Sequence, residues 1–322
     1  MSSLSATLRA VLFHRVSDHG SAFTDGLGVT TGATRFRDRV RFLRKRYSPV
    51  DLDAVRAAGR GEPLPPRALL VTIDDAYSSV ADTMAEILDE AGLPSVFFVN
   101  GAFLDHRLLG TDNLVTYTAN TLGAEAIRDA ARAVDADTTV TTIDEALGGF
   151  VPTLDQISLR RFREALEAAH DHDPLDRARA ERLYLDRTEL RGLPASMALG
   201  SHTRSHVRCR TLGADDFGPE LVDNRALLEE LSARPVTAFS VPYGSRADLT
   251  PRVATAIAGA GHDQVFLVEG QLNHGPLRSD GIYRVSMKSS SDLGSLLELE
   301  VWPRARHLRD RIRPGPHPAR VS

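Results

Sequence analysis

Two adjacent carboxylates, Asp74 and Asp75, follow the apolar β-branched run Leu69-Leu70-Val71-Thr72-Ile73, and two histidines four positions apart, His202 and His206, follow Met197-Ala198-Leu199. Side chains on a strand alternate faces, so adjacent acids diverge usefully only where the strand ends and the chain turns. Such a turn puts one acid on each side of a small pocket. Neither can be buried uncompensated, so a metal, a cation or a hydrogen-bond network must lie close by. His202 and His206 have the spacing that sets two imidazoles on one side of a helical turn. Asp75 completes a set of two histidines and one carboxylate, and three protein ligands with a free fourth position make a catalytic rather than a structural zinc site. A His-x3-His pair alone is a weak signal, and each histidine taken singly reads as a satisfied polar residue near a helix start.

The chain that must position these groups has 322 residues, 42% hydrophobic and 25% charged, enough for one large α/β domain or two ordinary ones. A net charge of −4 argues against a nucleic-acid surface and leaves neutral small or polymeric substrates open. With Cys209 as the single cysteine, neither an intrachain disulfide nor a thiolate metal cluster can form. Met1 to Ala10 lacks the features of a signal peptide, and no apolar stretch approaches a membrane span, so a cytoplasmic enzyme is expected. Oligomeric state is not legible.

Apolar runs predict strands at Leu8–Phe13, Leu69–Ile73, Ser95–Val99, Met197–Leu199, Val236–Val241, Val265–Val268 and Ile282–Met287, with a further short one at Pro49–Leu52. Amphipathic helices are expected after Thr34, over Ser78–Ala91, over Asp215–Leu231, after Asp248, and in a tail from Asp292 to Arg311 before a Pro-rich end. Strand, helix and strand between Leu69 and Val99 make a βαβ unit with parallel strands. Residues 105–191 change character, being rich in Ala, Arg and acids, and read as a helical insertion that packs beside the core as part of a substrate wall. Neither a Gly-x-Gly-x-x-Gly fingerprint nor a Walker phosphate loop occurs. The expected fold is a closed, irregular (β/α)7-type barrel with this insertion, one domain over 1–322. Barrel chemistry sits at the C-terminal ends of strands, where His14, Asp74, Asp75, His202 and Pro242 all fall.

Thr72-Ile73-Asp74-Asp75-Ala76-Tyr77 resembles the Thr-Phe-Asp-Asp-Gly-Tyr motif of the polysaccharide deacetylases, the NodB-like carbohydrate esterases. Gly200-Ser201-His202-Thr203-Arg204-Ser205-His206 is similar to their His-Ser/Thr-x-x-His motif, and Phe239-Ser240-Val241-Pro242-Tyr243-Gly244 to their third motif. The motifs occur in the family's order, and the resemblance spans roughly Ala10 to Lys288 apart from the insertion. It implies Asp74 as general base, Asp75, His202 and His206 as ligands of a divalent metal, Zn²⁺ foremost, and the backbone N–H of Tyr243, beside Pro242, as an oxyanion donor. Amide hydrolysis independently needs an activated water, a proton acceptor and a donor to the tetrahedral oxyanion.

The sequence departs from the family in four places. Ala76 replaces Gly, Ser240 stands where many members carry an Arg that orients the base, Val241 replaces a Tyr, and no C-terminal Leu-x-His supplies the acid. Val11-Leu12-Phe13-His14-Arg15-Val16 resembles the opening of a permuted branch in which the acid histidine comes first, which makes His14 the expected acid; the alternative is a structural histidine. His274 is a second candidate acid, His262 reads as packing, and His170 and His172 as a solvated patch. Arg284, ending the last strand, either bonds one of the acids near the substrate or lies at the surface. Trp302 reads as a packing anchor rather than a sugar platform.

The expected activity is metal-dependent removal of an acetyl group from an N-acetylated amino sugar or its conjugate. The alternatives are hydrolysis of another linear amide or an O-acetyl ester, and a decayed deacetylase fold that binds a glycan or a partner.

Overall fold

The computed structural model describes residues 6–274, 277–278, 281–287 and 291–305. The end of the expected tail helix and the Pro-rich terminus lie outside that range. Seven parallel strands form the centre: β1 (Ala6–Phe13), β2 (Ala68–Asp74), β3 (Ser95–Val99), β4 (Met197–Ser201), β5 (Ala238–Ser240), β6 (Gln264–Leu267) and β7 (Ile282–Ser286). Each pairs with the next, and β1 pairs with both β7 and β2, so the sheet closes on itself. Ser48–Pro49 adds a parallel pair outside β2, and Asn273–His274 runs antiparallel to β1.

Period-two alternation divides the core. Leu8, Ala10, Leu70, Val96, Phe98, Ala238, Phe266 and Ile282 fall in one cluster, the barrel interior. Their neighbours Val11, Phe13, Leu69, Val71, Ile73, Phe97, Val99 and Phe239 belong to a second, larger cluster shared with the helices outside. A strand apolar on both faces is what a parallel barrel requires, and all seven residues of β2 are buried.

The outer helices follow the expected order, with local differences. Helix α1 (Ala33–Arg46) starts one residue before Thr34, and its first N–H donates to Asp18 Oδ1 at 2.8 Å. The expected helix over Ser78–Ala91 is a wide turn, Val80–Met84, leading into α2 (Ala85–Glu90). Residues 105–191 are helical as expected, with α3 (Thr111–Leu122), α4 (Ala124–Arg132), α5 (Gln156–Ala168) and α6 (Pro174–Ala180) as the main pieces. Helix α7 (Asn224–Ser232) follows the wide turn Gly218–Asp223, and α8 spans Pro251–Gly259. Trp302 is 53% exposed, so it does not anchor the tail as expected. No helix among the described residues is long and apolar enough to cross a membrane.

His262 packs at the opposite end of the barrel from the acids, just before β6, with its ring 5.3 Å from that of Phe239. Burial, reinforced by Arg225, pushes its pKa down to about 4. The unfolded chain takes up this proton near pH 6.5 and the folded one resists it, so stability is full above that pH and falls between 6.5 and 4. The expected loss by pH 5 is about 2 kcal/mol. Urea unfolding at pH 7.5 and pH 5 should show that much less acid sensitivity in His262→Leu than in wild type; equal slopes would contradict the assignment.

Candidate active site

Asp74 is the last residue of β2 and points into the barrel, as its place in the alternation with Leu70 and Thr72 requires. Arg284 reaches it from β7, one of the largest side chains with no exposure at all. The guanidinium bonds both carboxylate oxygens, Nη1 to Oδ1 at 2.6 Å and Nη2 to Oδ2 at 2.7 Å, in a bidentate pair. It also donates to Ser240 Oγ at 2.7 Å and Thr72 Oγ1 at 3.3 Å. Arg284 is therefore an interior residue bound to an acid, which excludes the surface alternative. Burial would raise the Asp74 pKa, but the guanidinium, with His202 and His14, holds it well below the usual carboxylate range.

On a continuing strand Asp75 would face the outer layer with Ile73. Instead it takes a left-handed conformation, φ 67°, rare outside glycine and tolerated by Asp. This turn returns its carboxylate to the barrel rim. Ala76 is not among the residues with positive φ, so its Cβ carries no strain in place of the family's glycine.

His202 and His206 come together differently from expectation: the segment 202–208 is a loop, not a helical turn. Two left-handed residues, Thr203 at φ 56° and His206 at φ 58°, coil it back over the rim. Glu220 clamps the loop by accepting from the N–H groups of Arg204 at 2.8 Å and Ser205 at 3.0 Å and from Ser205 Oγ at 2.6 Å. Asn100 donates to the His202 and Thr203 carbonyls. The Ser240 carbonyl, 2.7 Å from His202 Nδ1, can only accept, so that nitrogen carries the proton and Nε2 offers its lone pair to the site. Burial depresses His202 to about 4 against the pull of Asp74, which keeps the imidazole neutral.

One ligand atom each from Asp75, His202 and His206 lies within 4.8 Å of the others. Asp75 Oδ1 stands 3.6 Å from His206 Nε2 and 3.8 Å from His202 Nε2, and it has no hydrogen-bond partner although buried. Ligands about 2.1 Å from a tetrahedral ion stand about 3.4 Å apart, so the spacing and the orphaned oxygen fit a divalent cation. Asp74 Oδ2 lies beside that position, 3.6 Å from His202 Nε2.

The third motif follows β5. Tyr243 at φ 63° and Gly244 at φ 68° make a left-handed pair, and a Cβ on Gly244 would come 2.4 Å from Val268 Cβ, so glycine is required there. The Tyr243 hydroxyl donates to Asp112 Oδ1 at 2.8 Å, and the Arg208 guanidinium covers its ring at 4.1 Å. Burial raises the phenol pKa well above normal, so it remains a donor. Beside these groups opens a cavity of about 340 Å³, walled by Gly110, Asp112, Ile143 and Leu147 of the insertion and by Leu27 of the loop before α1.

His14 directly follows Phe13, which pairs with Ile73, so it stands level with Asp74 on the neighbouring strand and acts on its charge. His274 is paired with Ala6 at the start of β1, the far end of the barrel, and is excluded as the acid. His170 and His172 pack around Tyr117, whose hydroxyl lies 2.8 Å from His172 Nε2 and whose ring stacks on His170 at 5.0 Å.

Residues 189–262 match the sequence profile described as polysaccharide deacetylase. A poly-beta-1,6-N-acetyl-D-glucosamine N-deacetylase of Escherichia coli (strain K12) is 31% identical over 98 residues, 30% of this chain and 14% of that protein. Over these stretches the chain is similar to polysaccharide deacetylases. Its aligned part spans only about a seventh of that curated relative's length. The fold is shared more widely. The Streptococcus pyogenes deacetylase PplD in complex with acetate superposes with a TM-score of 0.59 at 11% identity, over 91% of this chain and 98% of that one. IcaB from Ammonifex degensii gives 0.57 at 16% identity, over 93% and 100%. These neighbours carry the seven-stranded barrel, which is the expected fold class.

Three contributors to the candidate site escape motif reading. Asp112 lies in the insertion, and nothing in its spacing separates it from the other acids there. Glu220 and Asn100 act through backbone groups of a loop whose path only the fold defines.

Proposed function

We propose that the protein is a divalent-metal-dependent hydrolase that removes an acetyl group from an N-acetylated amino sugar or its conjugate. The observation that carries this reading is the Asp75, His202 and His206 set with its orphaned carboxylate oxygen, set beside the ionised Asp74. A binding module has no use for a base next to three metal ligands, which disfavours a decayed fold.

When bound, the divalent ion supplies Lewis acidity toward the acetyl carbonyl and the attacking water. Asp75, His202 and His206 hold it, leaving the substrate side open. Asp74 accepts the proton of the attacking water; its pairing with Arg284 keeps it ionised and fixes its direction. The backbone N–H of Tyr243 donates to the developing oxyanion, worth about 3 kcal/mol for a well-aimed donor. His14, level with Asp74, protonates the leaving amine, so acid and base flank the scissile bond from adjacent strands. The cavity bounded by the insertion receives the sugar.

Metal content of the purified protein and acetate release from small N-acetylated sugars test this reading. About one Zn²⁺ per chain with turnover is expected, and stoichiometric metal without turnover on a broad panel would favour a binding role. His14→Ala should lose most turnover, about 10²-fold or more, and keep its metal. Loss of the metal instead would overturn the role given to His14.

A further inference from the structure

Asp112 is the second residue of α3, inside the insertion, yet it reaches two parts of the barrel site. Its Oδ1 accepts from the Tyr243 hydroxyl at 2.8 Å, and its Oδ2 lies 3.7 Å from His206 Nδ1, the ring nitrogen turned away from Asp75. His206 Nε2 faces Asp75. The imidazole thus stands between two carboxylates at ion-pair distance, Asp75 on the side of the candidate metal position and Asp112 behind it. A carboxylate behind a ligating histidine fixes the ring's tautomer and direction.

The start of α3 is held too firmly for Asp112 to be a passing contact. Tyr184 Oη accepts from the Gly110 N–H at 3.0 Å and donates to Asn113 Oδ1 at 2.6 Å, while Asn113 Nδ2 donates to the Tyr77 hydroxyl and the Phe23 carbonyl, each at 3.0 Å. Tyr77 follows the Asp74-Asp75 turn closely in sequence and is buried. A Cβ on Gly110 would come 2.9 Å from Phe103 Cζ and 3.0 Å from Asn113 Oδ1, so the start of the helix packs closely against the Phe103 ring. On the other side Arg208, whose guanidinium lies over Tyr243, is itself tied to the buried Asp248 at 2.9 Å. A continuous chain of contacts runs from the insertion through Asp112 and Tyr243 to the loop after β5.

We infer that Asp112 is a positioning residue for this reaction, aligning His206 for metal binding and Tyr243 for oxyanion donation, so that the inserted helix is a working part of the site. The inference rests on the metal-hydrolase reading above. It explains why a departure-rich third motif still places Tyr243: the side chain is fixed from outside the motif, by a carboxylate and a guanidinium.

Three variants separate the two contacts, with Zn²⁺ affinity read by titrating the metal-free protein and kcat read at saturating Zn²⁺. Asp112→Asn keeps an oxygen for the Tyr243 hydroxyl and loses the charge behind His206; Zn²⁺ affinity should fall about 10-fold or more. Tyr243→Phe cuts the other contact; Zn²⁺ affinity should hold while kcat falls about 10-fold, with KM little changed. Asp112→Ala should show both losses while retaining its circular dichroism spectrum. Wild-type Zn²⁺ affinity in Asp112→Asn, or wild-type kcat in Tyr243→Phe, would overturn the inference even with the hydrolase reading intact. A wild-type protein that binds no Zn²⁺ would remove that reading and this inference with it.

Discussion

Asp74→Asn is expected to lower kcat by about 10³-fold while the protein keeps about one Zn²⁺ per chain. The amide occupies the same space between Arg284 and Ser240 but cannot take a proton from water. The proposed metal ligands Asp75, His202 and His206 are untouched, and His202 remains held through its Nδ1 by the Ser240 carbonyl. The substitution also leaves the Arg284 charge, with no exposure, without its anion, so stability should fall by about 3 kcal/mol. Assays well below the variant's melting temperature, with metal content measured on the same sample, separate the two effects. Near-normal turnover would remove Asp74 from the chemistry. Loss of the metal would move it into the ligand set, which its 3.6 Å separation from His202 Nε2 makes a concrete alternative to measure.

Arg284→Met tests the other half of the pair, and here both stability and pH dependence move. In the native site burial pushes Asp74 up, and Arg284 together with His202 and His14 pulls it down by more. A carboxylate with a depressed pKa contributes stability above its unfolded value near 3.9, lost as pH falls through the folded value. Without the guanidinium the sign reverses. Asp74 is then a buried acid with a raised pKa, its protonated form grows as pH falls toward neutrality, and the acid limb of kcat/KM moves upward. Stability at pH 7 should drop by about 3 to 5 kcal/mol, since an unpaired buried charge remains. Arg284→Lys should recover part of the charge effect without the bidentate geometry. A Met variant with an unshifted acid limb would show that Arg284 does not govern the base.

These two results bear on the departure at Ser240. The third motif lacks an arginine, yet Asp74, the proposed base, has one, delivered from β7 instead of β5. Ser240 is small enough to leave the space and polar enough to accept from Arg284 at 2.7 Å. Neither strand alone reveals this. Arg284 in sequence is one arginine among many, and its meaning depends on barrel closure, which sets β7 beside β1 and β1 beside β2.

The sequence by itself determined the barrel and pointed to most of its candidate site. Alternating and continuous apolar runs mark all seven strands, because burial on both faces leaves a pattern in the residues themselves. The Asp74-Asp75 pair at a strand end and the ordered motifs marked the proposed ligand set for the same reason: their residue types are costly to bury without a purpose. Tertiary structure alone decided the rest. The His202–His206 pair carries helical spacing but lies on a loop, since two left-handed residues and the Glu220 clamp outweigh a local preference. His14 and, less strongly, His274 both read as candidate acids until strand register sends one to each end of the barrel. Asp112 and Arg284 acquire their partners from elements distant in sequence, and such pairings follow from packing, which no local pattern encodes.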